Sequence, residues 1–90
     1  MSALENALRE YLALRRGLGF KLDRNETRLR EFLSFLSEQK TTRITTRLAL
    51  QFATRDSRLS ERTNAMRLSA VRGFARYHAG NDPTTEIPTF

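Results

Sequence analysis

The sequence predicts an all-α protein built from four helices, and three observations support that fold class. Apolar residues recur every three to four positions in four separate stretches, whereas no stretch shows the alternation typical of a strand. Glycine, proline or short polar segments separate these stretches, so neighbouring helices are expected to pack closely together. The 90 residues, 39% of them hydrophobic, suffice for one small domain with a single core.

The first predicted helix extends from Ala3 to Arg16 and ends at Gly17 and Gly19. Its apolar residues lie at helical spacing and form one stripe, to which the stem of Arg15 can add. The stripe consists of Leu4, Leu8, Tyr11 and Leu12. We interpret Tyr11 as a packed aromatic residue rather than a nucleophile, because no base or cation cluster is spaced to activate it. The alternating apolar residues after the helix are expected to plug the core: Leu18, Phe20 and Leu22.

The second predicted helix extends from Arg24 to Gln39, with Asp23 as its N-cap candidate. Its buried stripe consists of Leu29, Phe32, Leu33 and Leu36, with Phe35 beside it. The first half, RNETRLR, contains three arginines in seven residues, near a helix N-terminus that is already positive. Two explanations remain open: ion pairs within the helix to Glu26 and Glu31, and presentation of this half to phosphate groups.

A polar loop from Lys40 to Thr45 carries one apolar anchor, Ile44, and ends in Thr45, a good N-cap candidate. Its hydroxyl groups and two cations can contact phosphate oxygens, although threonines are also common before a helix. The third predicted helix is short, from Thr46 to Thr54. Its packed positions are Leu48, Leu50 and Phe52. The polar segment from Ala53 to Ser60 connects it to the fourth helix.

The fourth predicted helix lies between Ser60, an N-cap candidate, and Gly80, which is expected to be a left-handed C-cap shortly before Pro83. With residues placed at about 100° intervals, one side faces the core. That side consists of Leu68, Val71, Ala75 and His78, with Ala65 and Phe74 at its edges. The opposite side consists of Arg62, Met66, Ser69, Gly73 and Arg76, with Arg72 on one flank.

This outward face has arginines at both ends, small residues between them and a single acid, Glu61, at its start. Small residues between cations let a helix backbone approach a bulky anion closely. The pattern therefore favours contact with a nucleic-acid backbone or groove. An ordinary exposed helix, in which Ser69 and Gly73 pack against a partner helix, explains the same pattern equally well.

The charge of the chain also points to an anionic partner. The net charge is +6, and of the 16 basic residues only Lys21 and Lys40 are lysines, which leaves 14 arginines. Arginine forks match phosphate oxygens and guanine edges in bidentate geometry. A polyanion partner is therefore favoured over a merely solvated basic surface.

The residues needed for several other kinds of chemistry are missing. The chain has no cysteine and one histidine, His78, so disulfides and metal sites are not expected. No glycine-rich phosphate loop follows a strand, and no Ser/His/Asp set is present. No stretch approaches the ~20 apolar residues of a membrane span. We therefore expect no cofactor, no metal, no membrane contact and no catalytic residue in this chain.

Three stretches together resemble one protein family. RLSAVRGFARYH, residues 67–78, resembles the last helix of the N-terminal core-binding domain of tyrosine recombinases, the phage integrase family. YLALRRGLGFKL, residues 11–22, resembles the end of that domain's first helix and the following turn. NDPTTEIP, residues 81–88, resembles the tail that leads into the catalytic domain. The resemblance implies a compact SAM-like bundle over residues 1–80 and a linker over residues 81–90.

The resemblance implies DNA binding in site-specific recombination, in a cytoplasmic protein of bacterial or phage origin. In that family, strand cleavage uses a tyrosine and an His-x-x-Arg motif in the C-terminal domain. His78 is followed by Ala79, Gly80 and Asn81, so this motif is absent, and we expect the chain alone to be inert. The implied partners are double-stranded DNA, a catalytic domain in cis and other recombinase protomers on DNA, with the isolated domain monomeric.

The implied DNA contacts come from the second and fourth helices and the loop before the third. The candidate residues are Arg24, Arg28, Thr42, Arg43, Arg62, Arg67, Arg72 and Arg76. Most contacts are expected to be with phosphates. Arg28 and Arg62 are the candidates for contacts with base edges. Arg67 lies near the edge of the side of the fourth helix that faces the core. Two alternatives stay open: a helical protein-interaction module, and a helix-turn-helix regulator, for which the fourth helix is long.

Overall fold

The computed structural model describes residues 3–19, 23–55, 58 and 60–88 of the chain. Within those ranges the backbone forms four helices and no strand, which confirms the predicted all-α fold class. The helices are α1 (Ala3–Gly17), α2 (Asp23–Glu38), α3 (Thr46–Thr54) and α4 (Glu61–Ala79). The predicted bounds agree to within one residue at every helix end.

One hydrophobic core joins the four helices, because α2 and α4 each contact all three others. Three fully buried phenylalanines fill its centre, one from each of α2, α3 and α4: Phe32, Phe52 and Phe74. The rings of Phe32 and Phe52 lie 5.2 Å apart in a tilted arrangement. Each such side chain contributes about 1.5–3 kcal/mol by leaving water, so this centre fixes how the helices pack.

Most of the predicted buried stripes are confirmed. Buried positions include Leu4, Leu8, Tyr11, Leu12, Leu29, Phe32, Phe35, Leu36, Ile44, Leu48, Phe52, Leu68, Val71, Phe74, Ala75 and His78, while Leu33 is half-buried. His78 stacks on Phe74 at 5.8 Å, as expected of a packed histidine. Ala65 is exposed, so its place at the edge of the core was wrong.

Two leucines that were expected in the core lie outside it. Leu18 is 67% exposed and Leu50 is 41% exposed. α1 runs on through Gly17, and the amide of Leu18 still donates to the carbonyls of Leu14 and Arg15. Leu18 therefore continues the last turn of α1 on its outer side and does not fold back into the core. The other two residues that were expected to fill the core, Phe20 and Leu22, lie outside the described residues.

Two of the predicted helix caps are confirmed and one is corrected. Thr45 accepts a hydrogen bond from the amide of Leu48, and Ser60 accepts one from Thr63, so both predicted N-caps are confirmed. Gly80 has φ −67° and ψ −23°, so the predicted left-handed C-cap was wrong. The chain stays right-handed there, because the next two amides both donate to the carbonyl of His78. Asp23 is the first residue of α2, and its predicted role as an N-cap stays a prediction.

A left-handed residue instead ends α2, where the sequence indicated none. Lys40 has φ 56°, and its amide donates to the carbonyl of Ser37. The amide of Thr41 donates back to Leu36, which completes the pair of hydrogen bonds of a Schellman motif. This motif turns the chain sharply toward Ile44, whose burial anchors the loop before α3.

The tail after α4 returns along the loop before α3. The amide of Glu86 donates to the carbonyl of Ile44 at 2.9 Å, and the carboxylate of Glu86 accepts from the amide of Thr46 at 2.8 Å. Arg43 Nε donates to the carbonyl of Thr84 at 3.2 Å, and Pro88 is fully buried. The described part of the tail therefore packs against the bundle, and its predicted role as a linker stays a prediction.

Candidate nucleic-acid interface

Helices α1 and α4 run antiparallel, and this arrangement builds the candidate site. The ring of Tyr11, in the middle of α1, lies 5.6 Å from Phe74 and 5.4 Å from Tyr77. Tyr77 Oη donates to Glu10 at 3.3 Å, one residue earlier on α1. The start of α1 consequently lies beside the end of α4, and the end of α1 lies beside the first half of α4.

A surface groove of about 710 Å³, here called the basic groove, runs along the outer face of α4 between the second half of α1 and the start of α2. Four arginines line it: Arg15, Arg28, Arg72 and Arg76. None of the described residues that line the groove is acidic. The groove therefore concentrates four positive charges in a lining whose described residues include no acid.

The fold positions two of these arginines directly. Arg28 Nη1 donates to Asn25 Oδ1 at 3.3 Å, one turn earlier on α2, which orients the guanidinium within the groove. The guanidinium carbon of Arg15 lies 5.8 Å from the centre of the Tyr11 ring, within the range of a cation–π contact. Arg72 is half-buried and Arg76 is exposed on the α4 face.

The floor of the groove is a close helix–helix contact. A Cβ atom added to Gly73 would stand 2.9 Å from Tyr11 Oη, which is closer than side chains normally approach. The α1 helix therefore occupies the space that the absent side chain of Gly73 leaves. The sequence pattern allowed either a bulky anion or a partner helix at this position, and the structure places α1 there.

Arg24 and Arg62 lie outside the groove lining but are exposed at its α2 and α4 ends. Arg62 is in the first turn of α4, and Arg76 lies 14 residues later on the same face. With a rise of 1.5 Å per residue, the two are separated by about 21 Å along the helix. That length is comparable with the span of several phosphates along one strand of a duplex.

Arg67 lies in a different environment. Its side chain is 15% exposed, and its Nη2 atom lies 3.7 Å from Glu31 Oε2. Its guanidinium carbon is 5.5 Å from the centre of the Phe52 ring. This side chain of α4 therefore contacts both α2 and α3. The structure therefore gives Arg67 a packing role between helices, and it does not bring Arg67 to the basic groove.

Thr42 and Arg43 lie at another part of the bundle. Thr42 lines a hollow beside the start of α1 and the end of α4, together with His78 and Asp82. Arg43 is bonded to the tail through Thr84 and lies 3.8 Å from the carboxylate of Glu86. The structure therefore brings three of the eight candidates into the groove, two to its ends, and three elsewhere.

One ion pair within α2, between Glu26 and Arg30, explains part of its arginine-rich start. Glu31 instead pairs with Arg55 and Arg67, outside α2. Glu26 accepts hydrogen bonds from Arg16 and from Arg30, the latter at 2.9 Å, and these bonds hold the pKa of Glu26 below its ordinary value of 4.5. The Glu26 carboxylate thus ties the end of α1 to α2.

Burial, followed by the charge of Glu10, raises the pKa of Tyr77, so this phenol stays protonated.

Arg15 and Asn25 belong to the groove, although sequence reasoning did not select them. Arg15 was assigned to the core side of α1 because of its aliphatic stem, and Asn25 carries no charge. Arg15 lies in the groove because α1 packs antiparallel against α4. This packing joins segments that are distant in the chain. The spacing of Asn25 and Arg28, three residues apart on one face of α2, is the one local signal that could have identified it.

The part of the chain that the structure describes offers neither a metal site nor a membrane span. No group of three or more His, Asp or Glu side chains there is arranged to hold a metal ion. Among the same residues, no helix is both long and apolar enough to cross a membrane. The basic groove is consequently the arrangement on which a functional interpretation can be built.

The chain is similar to known proteins over most of its length. The family model described as "Phage integrase, N-terminal SAM-like domain" matches residues 6–80. "Putative integrase/recombinase y4rB" of Sinorhizobium fredii is 50% identical over 88 residues, which are 98% of this chain and 28% of that protein. The chain therefore spans less than a third of the length of this curated relative. No solved structure matches the chain significantly.

Proposed function

The chain belongs to the phage integrase N-terminal SAM-like domain family, and we propose that it binds duplex DNA along the basic groove as the N-terminal domain of a site-specific recombinase. The observation that carries this proposal is the lining of the groove, where four arginines converge and no described lining residue is acidic. Such a surface attracts a polyanion and repels a basic protein surface.

The proposed contacts are mainly with phosphate oxygens. Arg15, Arg28, Arg72 and Arg76 line the groove, and Arg24 and Arg62 extend the basic surface at its ends. Arginine forks bind phosphate oxygens in bidentate geometry, which positions a protein on a duplex without reading its sequence. With roughly six such contacts, log K is expected to fall with log salt at a slope of about −5.

The remaining candidates have weaker support. Thr42 and Arg43 contact DNA only if the duplex also reaches the loop before α3, where Arg43 is already bonded to the tail. Arg67 is tied to Glu31 and Phe52, and we do not include it in the proposed contacts. A helix-turn-helix regulator is less consistent with α4, whose 19 residues exceed the length of a short recognition helix.

The activity of the whole protein is a further part of the proposal. The relative from Sinorhizobium fredii is more than three times the length matched here. We propose that a catalytic domain in cis supplies the groups for strand cleavage, that the tail leads toward that domain, and that other recombinase protomers bind beside this one on DNA. In this arrangement the N-terminal domain positions the duplex and takes no part in the chemistry.

An NMR titration tests the proposed surface. The ¹⁵N-labelled chain is titrated with a short duplex at low salt, and the amide shifts are followed residue by residue. We expect shifts at the outer face of α4, the start of α2 and the end of α1, and we expect them to fade as salt is added. The absence of shifts at low salt, or shifts confined to the loop before α3, would contradict the proposed interface.

A further inference from the structure

Three exposed apolar side chains share the basic groove with the four arginines. Leu14 is 52% exposed, Leu18 is 67% exposed and Met66 is 36% exposed, and all three line the groove. A single exposed leucine on a protein surface is ordinary. Here, however, three of the five large hydrophobic side chains that are exposed among the described residues lie in one groove. Phosphate binding alone does not explain them.

The antiparallel packing of α1 and α4 places these side chains together. Leu14 and Leu18 are four residues apart, so they lie on the same face of α1. Both leucines come after Tyr11, which packs against Gly73. Because α1 and α4 are antiparallel, the later turns of α1 lie beside the earlier turns of α4, where Met66 lies. We call Leu14, Leu18 and Met66 the apolar edge of the groove.

We propose that the apolar edge contacts the C5 methyl groups of thymines, so that the groove distinguishes duplexes by their methyl groups as well as binding their phosphates. This inference rests on the proposed DNA binding. The four arginines favour an anionic partner, and the apolar side chains favour a partner that also presents apolar groups. In duplex DNA, the thymine methyl is the apolar group that a base edge presents in the major groove.

Other occupants fit the groove less well. A second copy of this chain in a twofold arrangement would bring the same four arginines against each other, and this repulsion opposes association. An acidic helical protein would satisfy both the charge and the apolar edge. It would respond to substitutions in the apolar edge but not to the methyl content of a duplex, so the two partners can be separated by experiment.

The test uses two duplexes of identical sequence, length and charge, one of which carries deoxyuridine in place of every thymidine. Phosphates and base-pairing groups are the same in both, and the methyl groups differ. We expect the chain to bind the thymine duplex more tightly, by about fourfold for each methyl group that becomes buried. The salt dependence of binding to the two duplexes is expected to be the same.

Substitutions assign the difference to the apolar edge. The double variant Leu18→Gln with Met66→Gln keeps side chains of similar size at two exposed positions, one in the turn after α1 and one in α4, so folding is expected to be unaffected. It should show a weaker preference for the thymine duplex, because only Leu14 of the apolar edge remains, whereas Leu50→Gln, an exposed leucine on α3, should retain the wild-type preference. Comparing the ratio of affinities between variants removes any contribution from the different flexibility of the two duplexes.

Each other outcome contradicts the inference in a recognisable way. Equal, salt-dependent binding of both duplexes by the wild-type chain would overturn methyl contact while leaving the proposed DNA binding intact. A preference that is undiminished in the Leu18→Gln, Met66→Gln variant would assign it to residues outside the apolar edge. Absence of binding to either duplex at low salt would contradict the proposed function itself.

Discussion

The hydroxyl group of Tyr11 lies over the backbone of Gly73, where a Cβ atom on residue 73 would be only 2.9 Å from the oxygen. Tyr11 is held in this position by the rings of Phe74 and Tyr77 on either side. The contact sets how closely α1 approaches α4, and so it sets the floor of the basic groove. A glycine at position 73 is therefore required for packing within the domain.

The first prediction concerns this contact. Gly73→Ala is expected to lower the free energy of unfolding by about 1 kcal/mol, because the added methyl crowds Tyr11 Oη. In a Tyr11→Phe background the oxygen is absent, and the same substitution is expected to raise the free energy of unfolding by about 0.5–1 kcal/mol through helix propensity. Denaturant unfolding of the four proteins measures the coupling. An identical effect of Gly73→Ala in both backgrounds would show that the hydroxyl does not matter.

The second prediction concerns Asn25, which orients Arg28 in the groove. Asn25→Asp places a carboxylate beside the guanidinium and is expected to neutralise its attraction for phosphate. Duplex affinity should fall, and the slope of log K against log salt should become shallower by about one. Asn6→Asp, on the exposed surface near the start of α1, changes the net charge equally and serves as the control. Equal losses in the two variants would assign the effect to net charge alone.

The third prediction separates a packing arginine from a binding arginine. Arg67→Gln breaks the contacts with Glu31 and Phe52 and is expected to lower the free energy of unfolding by about 1–2 kcal/mol. At temperatures where the variant is folded, its duplex affinity should stay within about twofold of wild type. Arg76→Gln removes the same charge from an exposed groove residue and should show the opposite pattern, with stability kept and affinity lost. A reversal of the two patterns would place Arg67 in the interface.

The fourth prediction follows from the lowered pKa of Glu26, which is caused by hydrogen bonds from Arg16 and Arg30. Because the pKa is lower in the folded state, the contribution of Glu26 to stability is complete above its ordinary value of 4.5 and is lost as the pH falls through the folded-state pKa. Glu26→Gln should remove this acid-side part of the stability profile. Unfolding measured from pH 7 to pH 3 in both proteins tests this, and an unchanged profile in the variant would contradict it.

Local sequence signals were sufficient to predict the helices and most of the core. The spacing of apolar residues identified all four helices, and hydroxyl side chains at Thr45 and Ser60 identified two N-caps. The arginines on the outer face of α4 were also identified correctly as exposed or half-buried, because their position depends on helical periodicity alone. These features are determined within a few residues of the chain.

The features that could not be predicted depend on contacts between distant segments. The partner that fills the space at Gly73 is Tyr11, which is 62 positions earlier in the chain. The pairing of Arg67 with Glu31 and the return of Glu86 to the amide of Thr46 are likewise set by the packing of helices and tail. A helical wheel shows which residues face outward, but it does not show which outward surfaces meet.

The central claim is that the basic groove binds the DNA backbone, and one comparison of paired variants tests it most directly. Arg72→Gln with Arg76→Gln removes two groove charges, and Arg30→Gln with Arg47→Gln removes two exposed charges elsewhere. Duplex affinity is measured for both at several salt concentrations. We expect the groove pair to lose at least about tenfold in affinity and to show a slope shallower by roughly 1.8, with a much smaller change in the control pair. Equal losses in the two pairs, or unchanged binding by the groove pair, would contradict the claim.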